Sequence, residues 1–326
     1  MRNCHSLHKN IFSNKPDVKV TDIAMIGSHD AFSHKISPSS FPDPHDKRGI
    51  LSPHALKLFK NRVAKLSKAQ VSDAYTQLTK GVRFFDVRVT HTAKGYYTMH
   101  ALTSAPLEEY LADVLRFLQD NDGEIVVLAM QYFKYSQNGY DALFRAMAEV
   151  RVNGKNIFDY VSYPKKPLED LTYGDVTANG TQSGVVLLAK YRLQDGVKSP
   201  YIEKVYDFQR HTRITWHNDI RTKPILGKIR AEVLAVLRHK ADLKHAFRIN
   251  QAQKTPVSKF GYTLYVAFFL SILKMSARWN VKLINQPDFA DWLHAMPVVF
   301  FDYVDTDKND FNNRINKIIN DYNYGL

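Results

Sequence analysis

Apolar and polar residues alternate in blocks along this chain. Nearly unbroken apolar runs, rich in β-branched residues, recur at residues 18–26, 81–89, 124–131, 184–191, 213–216, 246–250 and 298–304. Stretches such as EIVVLAM and GVVLLAK carry no polar face, the pattern of strands buried on both sides of a parallel sheet. Between them the period lengthens. Residues 107–121 (LEEYLADVLRFLQDN) and 225–240 (ILGKIRAEVLAVLRHK) space their apolar positions as a helix does, and the first stops before the turn pair Asp122-Gly123. Residues 311–322 read as a polar C-terminal helix. This strand–helix alternation predicts an α/β fold, an irregular (β/α) barrel of the TIM type in a single domain, rather than an open doubly wound sheet. No GxGxxG turn or P-loop supports a nucleotide fold.

Residues 1–17 read as a polar N-terminal extension and 18–326 as the barrel. Within the barrel, residues 34–68 break the alternation. They open with a Ser/Pro-rich loop and continue as LKLFKNRVAKLSK, with Leu56, Phe59, Val63 and Leu66 on one face and Lys57, Lys60, Lys65 and Lys68 largely elsewhere. Two readings stay open: a surface helix packed on the barrel rim, or an interfacial helix lying on anionic lipid. The most apolar stretch, 262–275, is too short to span a membrane and is broken by Lys274, so a buried helix is expected there.

Charge narrows the partners. The chain has 45 Lys+Arg against 32 Asp+Glu, a net +13, which favours nucleic acid, an anionic membrane surface or a phosphorylated substrate. The basic residues do not cluster with interleaved aromatics of the stacking kind, so nucleic acid is the least favoured. Cys4 is the only cysteine, which excludes an intramolecular disulfide. No secretory signal pattern is visible, which leaves a cytoplasmic location or export by a signal-independent route.

Four ionisable clusters fall where predicted strands end, the place for active-site groups in such a barrel. They are Gly27-Ser28-His29-Asp30, Phe85-Asp86-Val87-Arg88, Met99-His100 and Phe301-Asp302-Tyr303. Charges inside apolar strands must be paired or functional. Two histidines, each oriented by a carboxylate, provide a general base and a general acid. An arginine between them can hold a phosphate and stabilise its growing charge. Such a set suits metal-free cleavage of a phosphodiester by an internal hydroxyl. Rival signatures are missing from the sequence: no HExxH, no CxxC, no GxSxG.

The ordered set IAMIGSHDAF, QLTKGVRFFDVRVT, YYTMHAL and VVFFDYVD resembles the catalytic X-domain of phosphatidylinositol-specific phospholipase C in its bacterial, metal-independent form. The resemblance runs from about Val20 to Val304 and implies roles. His29 would be the base that takes the proton of the inositol 2-hydroxyl, with Asp302 orienting it. His100 would be the acid that protonates the departing diacylglycerol oxygen, with Asp30 as its partner. Arg88 would bind the phosphoryl oxygens, and Asp86 would position Arg88 and the acid side. The products would be diacylglycerol and a 1,2-cyclic inositol phosphate, made by a monomer acting peripherally on an anionic membrane surface.

The same resemblance implies no metal or other cofactor. Arg88 stands on the strand where calcium-dependent relatives carry acidic ligands, and it repels a cation by about 4 kcal/mol for unit charges 4 Å apart at an effective dielectric near 20. The inositol-contacting shell departs from the pattern: Gln131 replaces an expected lysine, Lys190 matches a basic ring contact, and Trp216 is the candidate for the aromatic beneath the ring. Lys134 and Arg192 are further basic candidates. The alternatives are a metal-dependent glycerophosphodiester- or sphingomyelinase D-like phosphodiesterase on the same barrel, and a catalytically silent lipid-binding relative.

Overall fold

The computed structural model describes residues 7–43, 53–132, 139–163, 166–190, 200–216, 221–254 and 271–326. Its strands are β1 (Met25–Ser28), β2 (Val82–Thr92), β3 (Gly95–His100), β4 (Leu102–Pro106), β5 (Ile125–Tyr132), β6 (Gly184–Ala189), β7 (Val205–Asp207), β8 (Thr212–Trp216), β9 (Phe247–Gln251) and β10 (Val298–Phe301). The sheet order is β7-β6-β5-β2-β1-β10-β9-β8, with every neighbouring pair parallel. β3 and β4 fold back as an antiparallel hairpin on the long end of β2. The sheet curls into the expected irregular α/β barrel, with a seam between β7 and β8 where no ladder joins the described residues.

The two-sided apolar runs are where they should be. Val126, Val127, Leu128, Val185, Val186 and Leu188 are fully buried, between helices outside and packed side chains inside. The Leu107–Asp120 helix buries Leu107, Tyr110, Leu111, Val114, Leu115, Phe117 and Leu118, the face its spacing predicts. The Phe311–Tyr324 helix is polar outside but buries Phe311, Ile315 and Ile319.

Some boundaries differ for physical reasons. The first predicted strand pairs only from Met25. Before it, the Asn323 side chain takes the N–H (2.8 Å) and carbonyl (3.0 Å) of Ala24, replacing a strand neighbour. The last strand ends at Phe301 because Tyr303 adopts φ 51°. β4 and β7 were not expected as strands; the latter has only three residues, too few to show a period.

Residues 7–12, read as part of a polar extension, form a short helix whose Ile11 and Phe12 belong to the core. The expected rim helix is present as Pro53–Ser67. Its last turns pack Val63 and Ala64 against Ile36 and Leu102. The side chains of Leu56, Lys57 and Phe59 lie outside the described residues, as do Lys134, Arg192 and most of the 262–275 segment. The part of that segment that is described begins the Ile272–Ile284 helix and exposes Lys274. Among the described residues, no helix is long and apolar enough to cross a membrane.

Candidate active site

Register explains why distant residues meet. Gly27 of β1 pairs with Phe84 of β2 and Phe300 of β10. The Phe84 ring lies 5.3 Å from that of Phe300 and 5.3 Å from that of Phe247. These rings fill the barrel as one layer. A Cβ on Gly27 would come within 2.0 Å of the Phe300 ring, so glycine is what lets that ring in. A strand returns to the same face every second residue. Two residues beyond the layer stand His29, Asp86 and Asp302. The polar cluster is therefore the next layer up, at the C-terminal mouth, over an aromatic floor.

His29 is the hub. Its Nδ1 lies 2.8 Å from Asp302 Oδ1 and 3.3 Å from Asp30 Oδ2. Its Nε2 lies 3.0 Å from Arg88 Nη2 and 3.9 Å from Asp86 Oδ2. Arg88 also places Nε 2.6 Å from Asp30 Oδ1 and Nη2 3.4 Å from Asp86 Oδ2. His100 arrives from the end of β3. Its Nε2 is 3.3 Å from Asp30 Oδ2, and its Nδ1 donates to the Ser67 carbonyl at 2.9 Å. One Asp30 carboxylate thus spans the cluster, with one oxygen on the arginine and the other near both imidazoles. The two imidazole centroids are 6.4 Å apart.

The six residues singled out in the sequence are brought together. Gln131 joins them by donating to Asp86 Oδ1 at 2.6 Å. Lys190 and Trp216 stand on the same rim at the ends of β6 and β8, both exposed. His29, Asp30 and Asp86 also offer ligand atoms close enough together for a metal ion. The Arg88 guanidinium contacts all three.

Hydrogen bonds and burial set the proton chemistry. At His29, burial alone would lower the pKa, but Asp30, Asp302 and the bond to Asp302 outweigh it against Arg88. The pKa rises from 6.5 to about 9. The Arg88 contact at Nε2 is a hydrogen bond only in the neutral form with its proton on Nδ1, facing Asp302, so Arg88 opposes the protonation that the two carboxylates favour. At His100, burial prevails over Asp30, Arg88 and His29 add to it, and the pKa falls. Because His100 Nδ1 is committed to a carbonyl, Nε2 is the nitrogen that gains and loses a proton.

The sequence reading missed the residues that fasten this cluster. After the 53–67 helix, Ser67 orients His100, and the Ala69 carbonyl accepts from Tyr303 N–H at 2.7 Å. Gln70, fully buried, donates to the carbonyls of His29 (2.8 Å) and Phe301 (3.0 Å) and accepts from Val304 N–H (3.1 Å). Asp30, Ala101 and Tyr303 all have positive φ (44°, 62° and 51°). Each lies in, or next to, the cluster, where stored backbone strain is commonly found.

Comparison with known proteins places this fold. The S. aureus phosphatidylinositol-specific phospholipase C, solved as a variant, superposes with a TM-score of 0.61 at 16% identity over 98% of this chain and 99% of that one. The corresponding Listeria monocytogenes enzyme gives 0.57 at 15% identity, over 98% of each chain. The fold is that of the phosphatidylinositol-specific phospholipases C. In sequence, a PI-PLC X domain-containing protein of Dictyostelium discoideum is 37% identical over 109 residues, 32% of this chain and 18% of that protein. The variant-surface-glycoprotein phospholipase C of Trypanosoma cruzi is 33% identical over 144 residues, 40% of this chain and 38% of that protein. These matches thus span well under half of each relative's own length. No family model matches the chain.

Proposed function

We propose that this barrel cleaves phosphatidylinositol, or a related inositol phospholipid, to diacylglycerol and a cyclic inositol phosphate without a metal. One observation carries the reading: two imidazoles and one arginine gather on the single Asp30 carboxylate at the mouth of the barrel. His29 Nε2 takes the proton of the ring 2-hydroxyl as that oxygen attacks phosphorus, and Asp302 and Asp30 stabilise the imidazolium formed. Arg88 leaves Nε2 for the phosphoryl oxygens, whose charge it holds through the transition state. His100 Nε2 gives its proton to the departing glycerol oxygen. Asp86, fixed by Gln131, positions Arg88. Lys190 and Trp216 contact the headgroup from the rim.

A membrane surface is the expected location of the substrate. The net charge of +13 favours anionic lipid. Phe41, 66% exposed, and Trp216, 56% exposed, offer aromatic side chains on the side of the barrel where the mouth opens.

The His29–Asp30–Asp86 grouping favours a second reading, metal-dependent phosphodiester hydrolysis. One experiment separates the two. Protein is incubated with phosphatidylinositol vesicles in excess EGTA and the soluble product followed by phosphorus NMR. A cyclic inositol phosphate signal, lost in His29→Ala and His100→Ala, supports the metal-free reading. Turnover only after calcium or magnesium is added overturns it.

A further inference from the structure

A second group of cations lies apart from the catalytic cluster. A cavity of about 360 Å³ opens where the Thr222–Arg238 and Ile272–Ile284 helices begin. These helices follow β8 and β9, so the cavity lies on the same rim as the catalytic mouth. Lys254, Lys274, Arg278 and Lys282 line it, and no acidic residue is among its described lining.

The helix spacing accounts for three of the four. Lys274, Arg278 and Lys282 recur every fourth residue and are exposed along one face. Like charges at this spacing repel one another, and an anion between them relieves the repulsion. The fourth cation is built into the wall. Lys254 Nζ lies 3.0 Å from Thr222 Oγ1 and 4.6 Å above the Trp279 ring. Trp279 is pinned in turn by its Nε1–H bond to the Ala252 carbonyl at 2.5 Å. The volume lies within the range of small-ligand sites. Cations around such a cavity suit a phosphate, whose oxygens accept charge-assisted hydrogen bonds.

We propose that this cavity is a second phosphate-binding site, distinct from Arg88, that takes the phosphate of a lipid headgroup or of a soluble phosphate. Inorganic phosphate is titrated calorimetrically into full-length Arg88→Gln protein, whose catalytic pocket has lost its cation. Saturable one-to-one binding is expected. In that background, Lys274→Glu with Arg278→Glu weakens it by about tenfold or more. Lys244→Glu with Lys317→Glu, an equal charge change at exposed positions elsewhere, leaves it within about twofold. If the Arg88→Gln protein does not fold, the same pairs are compared in the wild-type background, where the site is the component that the 274/278 pair removes. Absent binding, or equal loss in the two pairs, overturns the site.

Vesicle cosedimentation identifies the source. Phosphatidylcholine vesicles are compared with and without phosphatidylglycerol. With a headgroup occupant, the 274/278 pair loses about tenfold more affinity for the anionic vesicles than the control pair, and free phosphate competes. With a soluble occupant, the two pairs lose vesicle affinity equally while the phosphate titration still separates them. No readout depends on turnover, so the site fails or stands apart from the catalytic reading.

Discussion

Asp302→Asn tests the catalytic reading most directly. The substitution keeps the shape of the side chain and removes its charge, 2.8 Å from His29 Nδ1. The rise of the His29 pKa from 6.5 to about 9 amounts to about 3 kcal/mol of preference for the imidazolium. Asp30 and Asp302 raise the pKa against both burial and Arg88, so together they supply more than that net preference, and losing one charge removes on the order of 2 kcal/mol, about one pKa unit or more. The sign is fixed, because an imidazolium that loses an adjacent anion is destabilised and its pKa falls.

At pH 7, a pKa near 9 leaves only about one His29 in a hundred able to accept a proton. The wild-type profile of kcat/KM against pH is therefore a bell whose alkaline limb, near 9, belongs to His29. Its acidic limb, below 6.5, belongs to His100. Asp302→Asn is expected to move the alkaline limb down by about one unit and leave the acidic limb in place. The rate at the maximum falls by about 10²- to 10⁴-fold, because an amide can hold the proton on the wrong nitrogen. The assay is cleavage of phosphatidylinositol in mixed micelles across pH 5 to 10 with excess EGTA. An alkaline limb that stays put while the acidic one moves, or a rate within about threefold of wild type, refutes the assignment of His29.

Other expectations concern the scaffold. His8 Nδ1 accepts from Ile125 N–H at 3.2 Å, and burial, with Arg83, holds its pKa well below 6.5. The unfolded chain therefore binds the extra proton as pH drops below 6.5, and His8 costs stability there. The stability gap between wild type and His8→Gln, from urea melts, should shift by about 1 kcal/mol in the variant's favour between pH 7 and 5.5. Arg83→Met leaves Glu124, fully buried and bonded to Arg83 Nε at 2.7 Å, without its cation. Guanidinium melts should show a loss of about 3–5 kcal/mol. Gly27→Ala drives a methyl into the Phe300 ring at 2.0 Å and should cost about 1–3 kcal/mol in a thermal melt. Turnover should fall with it, since Asp302 stands two residues past Phe300.

Much of the cluster was legible because a charge inside an apolar strand needs a reason. Asp86, Arg88 and Asp302 stand out against the phenylalanines beside them, and the strand–helix alternation says at which end of a barrel they belong. The register adds what spacing along one strand cannot: Gly27, Phe84 and Phe300 share a layer, which places His29, Asp86 and Asp302 in the next. Gln131 was read only as part of the substrate shell, and its bond to Asp86 could not be seen from spacing along one strand. The fastening at residues 67–70 was invisible because it uses carbonyls, which every residue has, and a single buried glutamine. The short N-terminal helix was missed for want of length: Ile11 and Phe12 are too few to reveal a face.

The bond between His29 and Asp302 spans 273 residues. β1 sits between β2 and β10, so the strand that carries His29 is not flanked on both sides until the last strand arrives. A chain leaving the ribosome presents both histidines and the arginine well before the aspartate bonded to His29, which follows His29 by 273 residues. Any chemistry that depends on that pair is withheld until those residues have been added and β10 has paired with β1. It is also lost whenever β10 separates from β1.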